Sequence, residues 1–285
     1  MSRVWEDNIS LNSRLEPRFN VLPSAAELIR DQQIAGKLTA EAKEAAARDV
    51  YPIPEPGDRE GYYGDDHISY WLSGYWDSRH LLEAAQENGV QVRRYLDLGC
   101  ASGRVIRHVV VQNPPISTLG CDINRAHVVW CNRHLPSHCT VFQNHSIPTL
   151  PLQDNSVDLA SAYSVFTHIE AFETTWLMEL HRLLSPGGIA WLTFHTELTL
   201  AAIDETWPLW SPVMNHPEAP QILDGNRYFE GDRAVFRWHD DQSYSANVFY
   251  KKEYIGRVLE SMFDIIQFKH RFPEYQDVFI VRKRP

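Results

Sequence analysis

The stretch Arg94-Tyr95-Leu96-Asp97-Leu98-Gly99-Cys100-Ala101-Ser102-Gly103-Arg104 constrains the fold more than any other part of the chain. Tyr95, Leu96 and Leu98 read as a short buried strand, and Gly99 and Gly103 bracket a turn. A helix is predicted from Arg104 to about Gln112, with Ser102 as its cap. A strand that passes through an acid and a glycine turn into a helix makes a loop whose backbone a ligand can approach without meeting a Cβ. With 285 residues, 44% of them hydrophobic and 22% charged, the chain is long enough for one large α/β domain with appendages.

Two ligand classes use such a turn. The dinucleotide fingerprint G-x-G-x-x-G sets a pyrophosphate on the helix N-terminus. The loop here is D-x-G-x-x-x-G, without the middle glycine and with Asp97 just before it. A carboxylate repels a pyrophosphate and attracts an ammonium group, so the loop suits a zwitterionic, adenosine-bearing ligand better than NAD. Leu96-Asp97-Leu98-Gly99-Cys100-Ala101-Ser102-Gly103 resembles motif I of the class I S-adenosylmethionine-dependent methyltransferases. That resemblance implies that Asp97 and the Gly99, Cys100, Ala101, Ser102 and Gly103 backbone hold the methionine end of the cofactor.

Further elements follow in the order this family has them. Ile116 to Asp122 reads as the second strand, and Asp122 lies about twenty positions beyond the glycine loop, where a carboxylate accepts ribose hydroxyls. The alternative is a surface aspartate capping the helix predicted from about Arg125 to His134. Ile123 would lie against the adenine. Thr140 to Gln143 gives the third strand, where the family usually has an acid at the end; here Asn144 or His145 stands in its place and would contact the adenine amino group. The Leu150-Pro151-Leu152 loop leads to a fourth strand over Val157 to Phe166. Tyr163, Ser164 and His168 at its carboxyl end belong on the ligand side of an open α/β sheet. Phe172 to Leu184 is predicted as a helix. Leu183-Leu184-Ser185-Pro186-Gly187-Gly188 resembles the family's motif before strand five, which runs from Ile189 to His195. His168 and His195 are the candidate bases, each also readable as a structural histidine.

The implied architecture is a Rossmann-like seven-stranded sheet with helices on both faces, an N-terminal helical extension and an insertion after strand 5. Residues 1–60 form the extension and linker, and 61–285 the catalytic domain, with 196–248 as an acceptor-side insertion. In the extension, Ser24 to Glu27 carries a capping box and Thr39 to Ala47 is rich in helix formers. Tyr51 to Gly57, with alternating prolines, is an extended strap. Asp66 to Asn88 reads as an amphipathic helix whose Tyr70, Trp71, Tyr75 and Trp76 either pack as core or cover the cofactor. A hairpin is expected around Arg227 to Trp238, a helix over Lys251 to Met262, and two antiparallel edge strands over Phe263 to Lys269 and Gln276 to Arg282.

Charge and cysteines narrow the function. A net charge of −10 argues against bulk nucleic-acid binding through phosphates. The charged stretch Met1 to Asn20 lacks the apolar core of a signal peptide, and none of the four cysteines forms a C-x-x-C pair, which together predict a reduced, cytoplasmic protein. No run is apolar and long enough to cross a membrane. His127, Cys131 and His134 make a stripe with His138 and Cys139 nearby, but the spacing is not that of a structural zinc site and no metal is expected. The function expected is methyl transfer from S-adenosylmethionine to a small-molecule acceptor, most readily a hydroxyl of a sugar or natural product. The extension offers a route to a homo-oligomer. The readings weighed against it are a nucleotide-dependent oxidoreductase, disfavoured by the loop, and a non-catalytic module of the same fold serving a partner.

Overall fold

The computed structural model describes residues 18–239, 242–272 and 274–285. The first seventeen residues of the expected extension, and with them most of the stretch read for a signal peptide, lie outside the described residues. The described residues fall into two compact units, one ending at Asn144 and one running from His145 to Pro285.

The first unit begins with a short strand β1 (Val21–Ser24) paired antiparallel to β2 (Pro52–Pro54), the proline strap. Between them, Ser24 and Glu27 form the expected capping box and Thr39 caps the helix Ala40–Arg48. That helix buries Ala42, Ala45 and Ala46, small side chains that let it pack closely beside Ile68, Trp71 and Tyr75 of the helix His67–Glu87. Asp49 is fully buried, accepting from Trp71 Nε1 at 2.7 Å and from Arg107 Nε and Nη2 at 3.0 Å each. Arg107 also donates to the Tyr51 and Pro52 carbonyls, so one buried cation ties the strap to the domain. Tyr70, Trp71 and Tyr75 are therefore core, and Trp76 alone of the four is exposed, at 37%.

The sheet of this unit is parallel: β3 (Arg94–Leu98) pairs with β4 (Ser117–Asp122), and β4 with β5 (Cys139–Gln143). The connecting helices are Ile106–Gln112 and Arg125–His134. Ser102 does not cap the first of these. Its N-cap is Val105, without a side-chain bond, and the Ser102 hydroxyl donates instead to the Asp58 carbonyl.

The second unit holds β6 (Val157–Ala162), shorter than expected because Ser164 turns into the left-handed region at φ +57°. It pairs parallel to β7, which covers Leu184–Thr196 without interruption. The Ser185-Pro186-Gly187-Gly188 break is absorbed as a register shift: Val157 faces Leu184, but Leu159 faces Ile189. Gly188 is required there, since a Cβ would stand 2.9 Å from the Ser185 carbonyl and 3.0 Å from that of Asp158.

The insertion makes a hairpin later than expected, β8 (Arg233–Arg237) against β9 (Ala246–Tyr250), and β9 adds parallel to the end of β7. Its core is aromatic, with Trp207, Phe229, Phe236 and Phe249 buried. The helix Lys252–Glu260 precedes β10 (Phe263–Lys269) and β11 (Asp277–Lys283). The last two strands are antiparallel, as expected, but β11 is not an edge: it pairs with β7 on one side and β10 on the other. The α/β class and the mostly parallel sheet with flanking helices are those the sequence implies.

Candidate active site

Asp97, Gly99 to Gly103, Asp122, Ile123 and Asn144 belong to the first unit; His145, Tyr163, Ser164, His168 and His195 belong to the second. In the first unit, Asp97 is 2% exposed at the end of β3. The chain then turns sharply, with Gly99 at φ +70°, Ala101 at +46° and Gly103 at +82°. Gly99 and Cys100 both donate to the Cys121 carbonyl, at 2.8 and 3.0 Å, which anchors the loop to β4. A Cβ on Gly103 would stand 2.8 Å from Leu135 Cδ1, so this glycine answers to packing as well as to its dihedral.

Asp122 completes the loop. Its Oδ2 accepts the Ala101 N–H at 2.9 Å and its Oδ1 the Asn124 N–H at 2.7 Å. The helix beginning at Arg125 is capped by Asn124, whose side chain accepts from Ala126, and Asp122 is a buried residue rather than a surface cap. A carboxylate offers about four lone-pair sites, so two remain for hydroxyl donors. Ile123 is half-buried, and its carbonyl accepts from Gln143 Nε2. Asn144 is buried, and its N–H donates to the Asp122 carbonyl at 3.1 Å, while His145 is exposed.

Several residues here were not read from the sequence as part of the ligand site, His127 having been considered only for a metal. His127 Nδ1 lies 3.6 Å from Asp122 Oδ1, and its Nε2 lies 3.8 Å from Glu60. Burial works to lower its pKa, but the Asp122 and Glu60 carboxylates outweigh it and hold the imidazole above its ordinary value. Gly74 of the helix His67–Glu87 meets the loop directly, since a Cβ there would stand 1.9 Å from the Arg104 carbonyl oxygen. Arg59 is buried beside Tyr70, on the segment whose Asp58 carbonyl receives the Ser102 hydroxyl. Only the glycines of Asp58-Arg59-Glu60-Gly61-Tyr62-Tyr63-Gly64 signal a turn in the sequence; nothing there marks the arginine as buried. Among the described residues no group of three or more His, Cys, Asp or Glu is placed to hold a metal ion. Cys131 of the histidine stripe turns its thiol to the Ala101 carbonyl at 3.4 Å.

In the second unit, the Ser164 N–H donates to Thr193 Oγ1 and the Ser164 hydroxyl accepts from Gln276 Nε2, both at 2.7 Å. Tyr163 is 9% exposed, with its ring 6.2 Å from that of Trp191. His168 Nδ1 donates to the Ala246 carbonyl at 2.7 Å, which assigns the proton to Nδ1 and leaves Nε2 as an acceptor. His195 is different: it is 2% exposed, stacked on Phe249 at 5.0 Å, with Trp207 edge-on at 5.4 Å. Burial first, and the neighbouring His168 second, push its pKa down to about 3. It stays neutral at physiological pH and is a weak base. The two histidines are neighbours, and among the described residues only His168 has a carbonyl to orient it.

Comparison with known proteins agrees with this reading of the fold. Residues 96–192 match the family model described as a methyltransferase domain, and no curated protein matches the chain. Among solved structures, an S-adenosylmethionine-dependent methyltransferase from Methanosarcina mazei is similar at 18% identity over 70% of this chain and 96% of its own, with a TM-score of 0.50. One from Clostridium acetobutylicum is similar at 14% identity over 78% and 94%, with a TM-score of 0.51. The 1,6-didemethyltoxoflavin-N1-methyltransferase of Burkholderia thailandensis, solved with 1,6-didemethyltoxoflavin and S-adenosylhomocysteine, is similar at 15% identity over 87% and 92%, with a TM-score of 0.50. These identities speak for the fold, and the match to the methyltransferase family model covers residues 96–192 of the chain.

Proposed function

We propose that this chain is an S-adenosylmethionine-dependent methyltransferase that methylates a hydroxyl oxygen of a small molecule, with sugars and natural products as the substrate class; the match of residues 96–192 to a methyltransferase domain supports the first part. The observation that carries the reading is the glycine loop bound by the strand-end acid, Ala101 N–H to Asp122, directly after the buried Asp97. Those residues fit the cofactor: a buried carboxylate for an ammonium group, a left-handed turn open to backbone approach, and a second carboxylate with acceptor capacity left for ribose hydroxyls. Ile123 offers an apolar face, and Asn144 or His145 an acceptor, for the adenine. When bound, the cofactor supplies an electrophilic methyl group on a sulfonium, which needs no further activation to leave.

What the protein must add is alignment of the acceptor and removal of its proton. His168 suits the second task, because its Nδ1–H is fixed on the Ala246 carbonyl and its Nε2 lone pair is left to take a proton. His195, neutral and buried, is better suited to shaping the surroundings of His168. Tyr163 and Ser164 contribute a ring and a fixed hydroxyl on the same unit. The insertion supports a small-molecule acceptor: an open groove of about 630 Å³ is lined by Ser211, Asn215, His216, Arg237 and Trp238 among others, which offer it both an aromatic side chain and polar groups. One protein of the same fold holds the small molecule 1,6-didemethyltoxoflavin.

The experiment is a screen of sugar and natural-product hydroxyls with isotopically labelled S-adenosylmethionine, read by mass spectrometry, on the wild-type chain and on His168→Gln and His195→Gln. A methylated hydroxyl product that is lost in His168→Gln supports the reading. Turnover surviving in both variants removes the base assignment. Binding of the cofactor with no product from any acceptor class moves the chain to a non-catalytic role.

A further inference from the structure

Just past the end of β6, Ser164 stands at φ +57°, a left-handed conformation uncommon outside glycine and asparagine. Three contacts within the second unit hold it there. Its N–H donates to Thr193 Oγ1 at 2.7 Å, its carbonyl accepts from Thr167 Oγ1 at 2.8 Å, and its hydroxyl oxygen accepts from Gln276 Nε2 at 2.7 Å. The last partner comes from 112 positions further along the chain, on the turn between β10 and β11. That turn is itself clamped. The Gln276 carbonyl accepts the Phe272 N–H at 2.7 Å. Asp277, the next residue, is fully buried and accepts from the Thr196 hydroxyl, from Thr199 Oγ1 at 2.8 Å, from His270 Nδ1 at 2.7 Å and from the Arg271 N–H at 2.9 Å. The amide of Gln276 therefore reaches Ser164 from a fixed origin.

A hydroxyl has one proton and two lone pairs. Gln276 Nε2 can only donate, so it takes a lone pair of Ser164 and leaves the Ser164 proton without a place on that partner. Among the described residues none accepts that proton, and Ser164 is half-buried, within reach of a ligand. His168 belongs to the same turn: its N–H donates to the Val165 carbonyl at 3.0 Å, and Thr167 beside it holds the Ser164 carbonyl. A hydroxyl donor and the Nε2 acceptor of His168, four positions on, thus share one short turn. The reacting oxygen of an acceptor gives its proton to that Nε2. It gains the methyl group as the C–S bond that carries it breaks, with the electron pair left on sulfur. A Ser164 proton placed on the same oxygen would occupy a lone pair and weaken the attack. It is therefore suited to another oxygen of the same molecule, and the shortness of the turn makes that a neighbouring one.

We propose that Ser164, oriented by Gln276, donates to a second oxygen of the acceptor, on the carbon next to the one whose hydroxyl is methylated. This use of Ser164 rests on the acceptor reading given above, with His168 as the base, and narrows it to compounds with oxygens on adjacent carbons: vicinal diols, catechols and α-hydroxy carbonyls. Adjacent ring hydroxyls of a sugar meet the requirement. An acceptor with an isolated hydroxyl leaves the Ser164 proton unanswered, and that loss is what discriminates against it. Gln276 is a positioning residue, since it touches Ser164 and not the acceptor.

The test is a competition for labelled S-adenosylmethionine on the full chain, catechol against phenol and vicinal cyclohexanediol against cyclohexanol, with the methyl ethers counted by mass spectrometry. The product ratio gives the ratio of kcat/KM directly. Corrected for its second hydroxyl, the paired compound should win by about three- to tenfold, the range of a neutral hydrogen bond. Ser164→Ala should bring the ratio to about one. So should Gln276→Glu, whose carboxylate keeps the contact but takes the Ser164 proton for itself, and whose thermal melt should match the wild type. A Gln276→Glu chain that keeps the preference overturns the proposal and makes Gln276 a strut. If either variant fails to fold, the other decides. Equal use of paired and isolated hydroxyls by the wild-type chain overturns the proposal and leaves the methyl-transfer reading standing. No methyl ether from any of the four compounds counts against both this proposal and the acceptor class, and calorimetric binding of S-adenosylmethionine by the same samples separates that result from a failure of the cofactor reading.

Discussion

The Asp122 carboxylate accepts the Ala101 N–H at 2.9 Å, joining two residues 21 positions apart and fixing the glycine loop to the end of the neighbouring strand. One carboxylate thus shapes the loop and keeps lone pairs for a ligand. Asp122→Ala should strand the Ala101 and Asn124 N–H groups, at a cost of about 1–3 kcal/mol for each buried donor left unpaired. Urea unfolding measures that loss, and titration with S-adenosylmethionine should show weakening of about tenfold or more. Unchanged stability with lost binding would mean that the carboxylate serves the ligand alone.

His127 makes the same corner sensitive to pH. Its folded pKa is raised above the ordinary 6.5 by Asp122 and Glu60 against the effect of burial. A group of that kind contributes stability that is full below about pH 6.5 and is lost as pH rises through the folded value. Stability of the wild-type chain should therefore decline over that window, and His127→Gln should flatten the decline in a series of thermal melts. A slope that the substitution leaves intact assigns it to another group.

The buried pair of Asp49 and Arg107 holds the proline strap. Asp49→Ala leaves the Arg107 guanidinium without its counter-charge and should cost about 3–5 kcal/mol. Burial works to raise the Asp49 pKa, but the charge of Arg107 and its hydrogen bonds hold it below the ordinary 3.8. Its contribution is then present above about pH 3.8 and is lost as pH falls through the lower folded value. Asp49→Asn should remove that part of the acid transition, as followed by tryptophan fluorescence.

Gly74→Ala should be among the most damaging small substitutions, because its Cβ would stand 1.9 Å from the Arg104 carbonyl and 2.8 Å from the carbonyl carbon. Backbone cannot yield as a side chain can, so a loss of about 3 kcal/mol is expected in chemical denaturation, with weakened cofactor binding. Gly36, with nothing within 4 Å of its Cβ position, is the control that should tolerate alanine.

The strands were legible where apolar runs ended in turn residues: β3, β4 and β5 lie within a residue of their expected places. What escaped depends on partners distant in sequence. Pro186-Gly187-Gly188 reads as a terminator, yet pairing with β6 carries β7 through it with a register shift. β11 looks like an edge until its pairing with both β7 and β10 is seen. Around the candidate site, Asp97, Gly99 and Asp122 announce themselves by spacing. The helical glycine Gly74 and the turn arginine Arg59 do not, because their roles come from what the fold sets beside them. Ser102 has the residue type of a cap and the position of a strut, since the Asp58 carbonyl lies within its reach.

The cofactor reading is tested most directly by calorimetric titration of the wild-type chain and of Asp97→Asn with S-adenosylmethionine. Asn keeps the shape of the side chain and removes its charge. The account predicts saturable one-to-one binding to the wild-type chain, weakened about tenfold or more in the variant. No binding to the wild-type chain, or equal affinity in a folded Asp97→Asn, would contradict it.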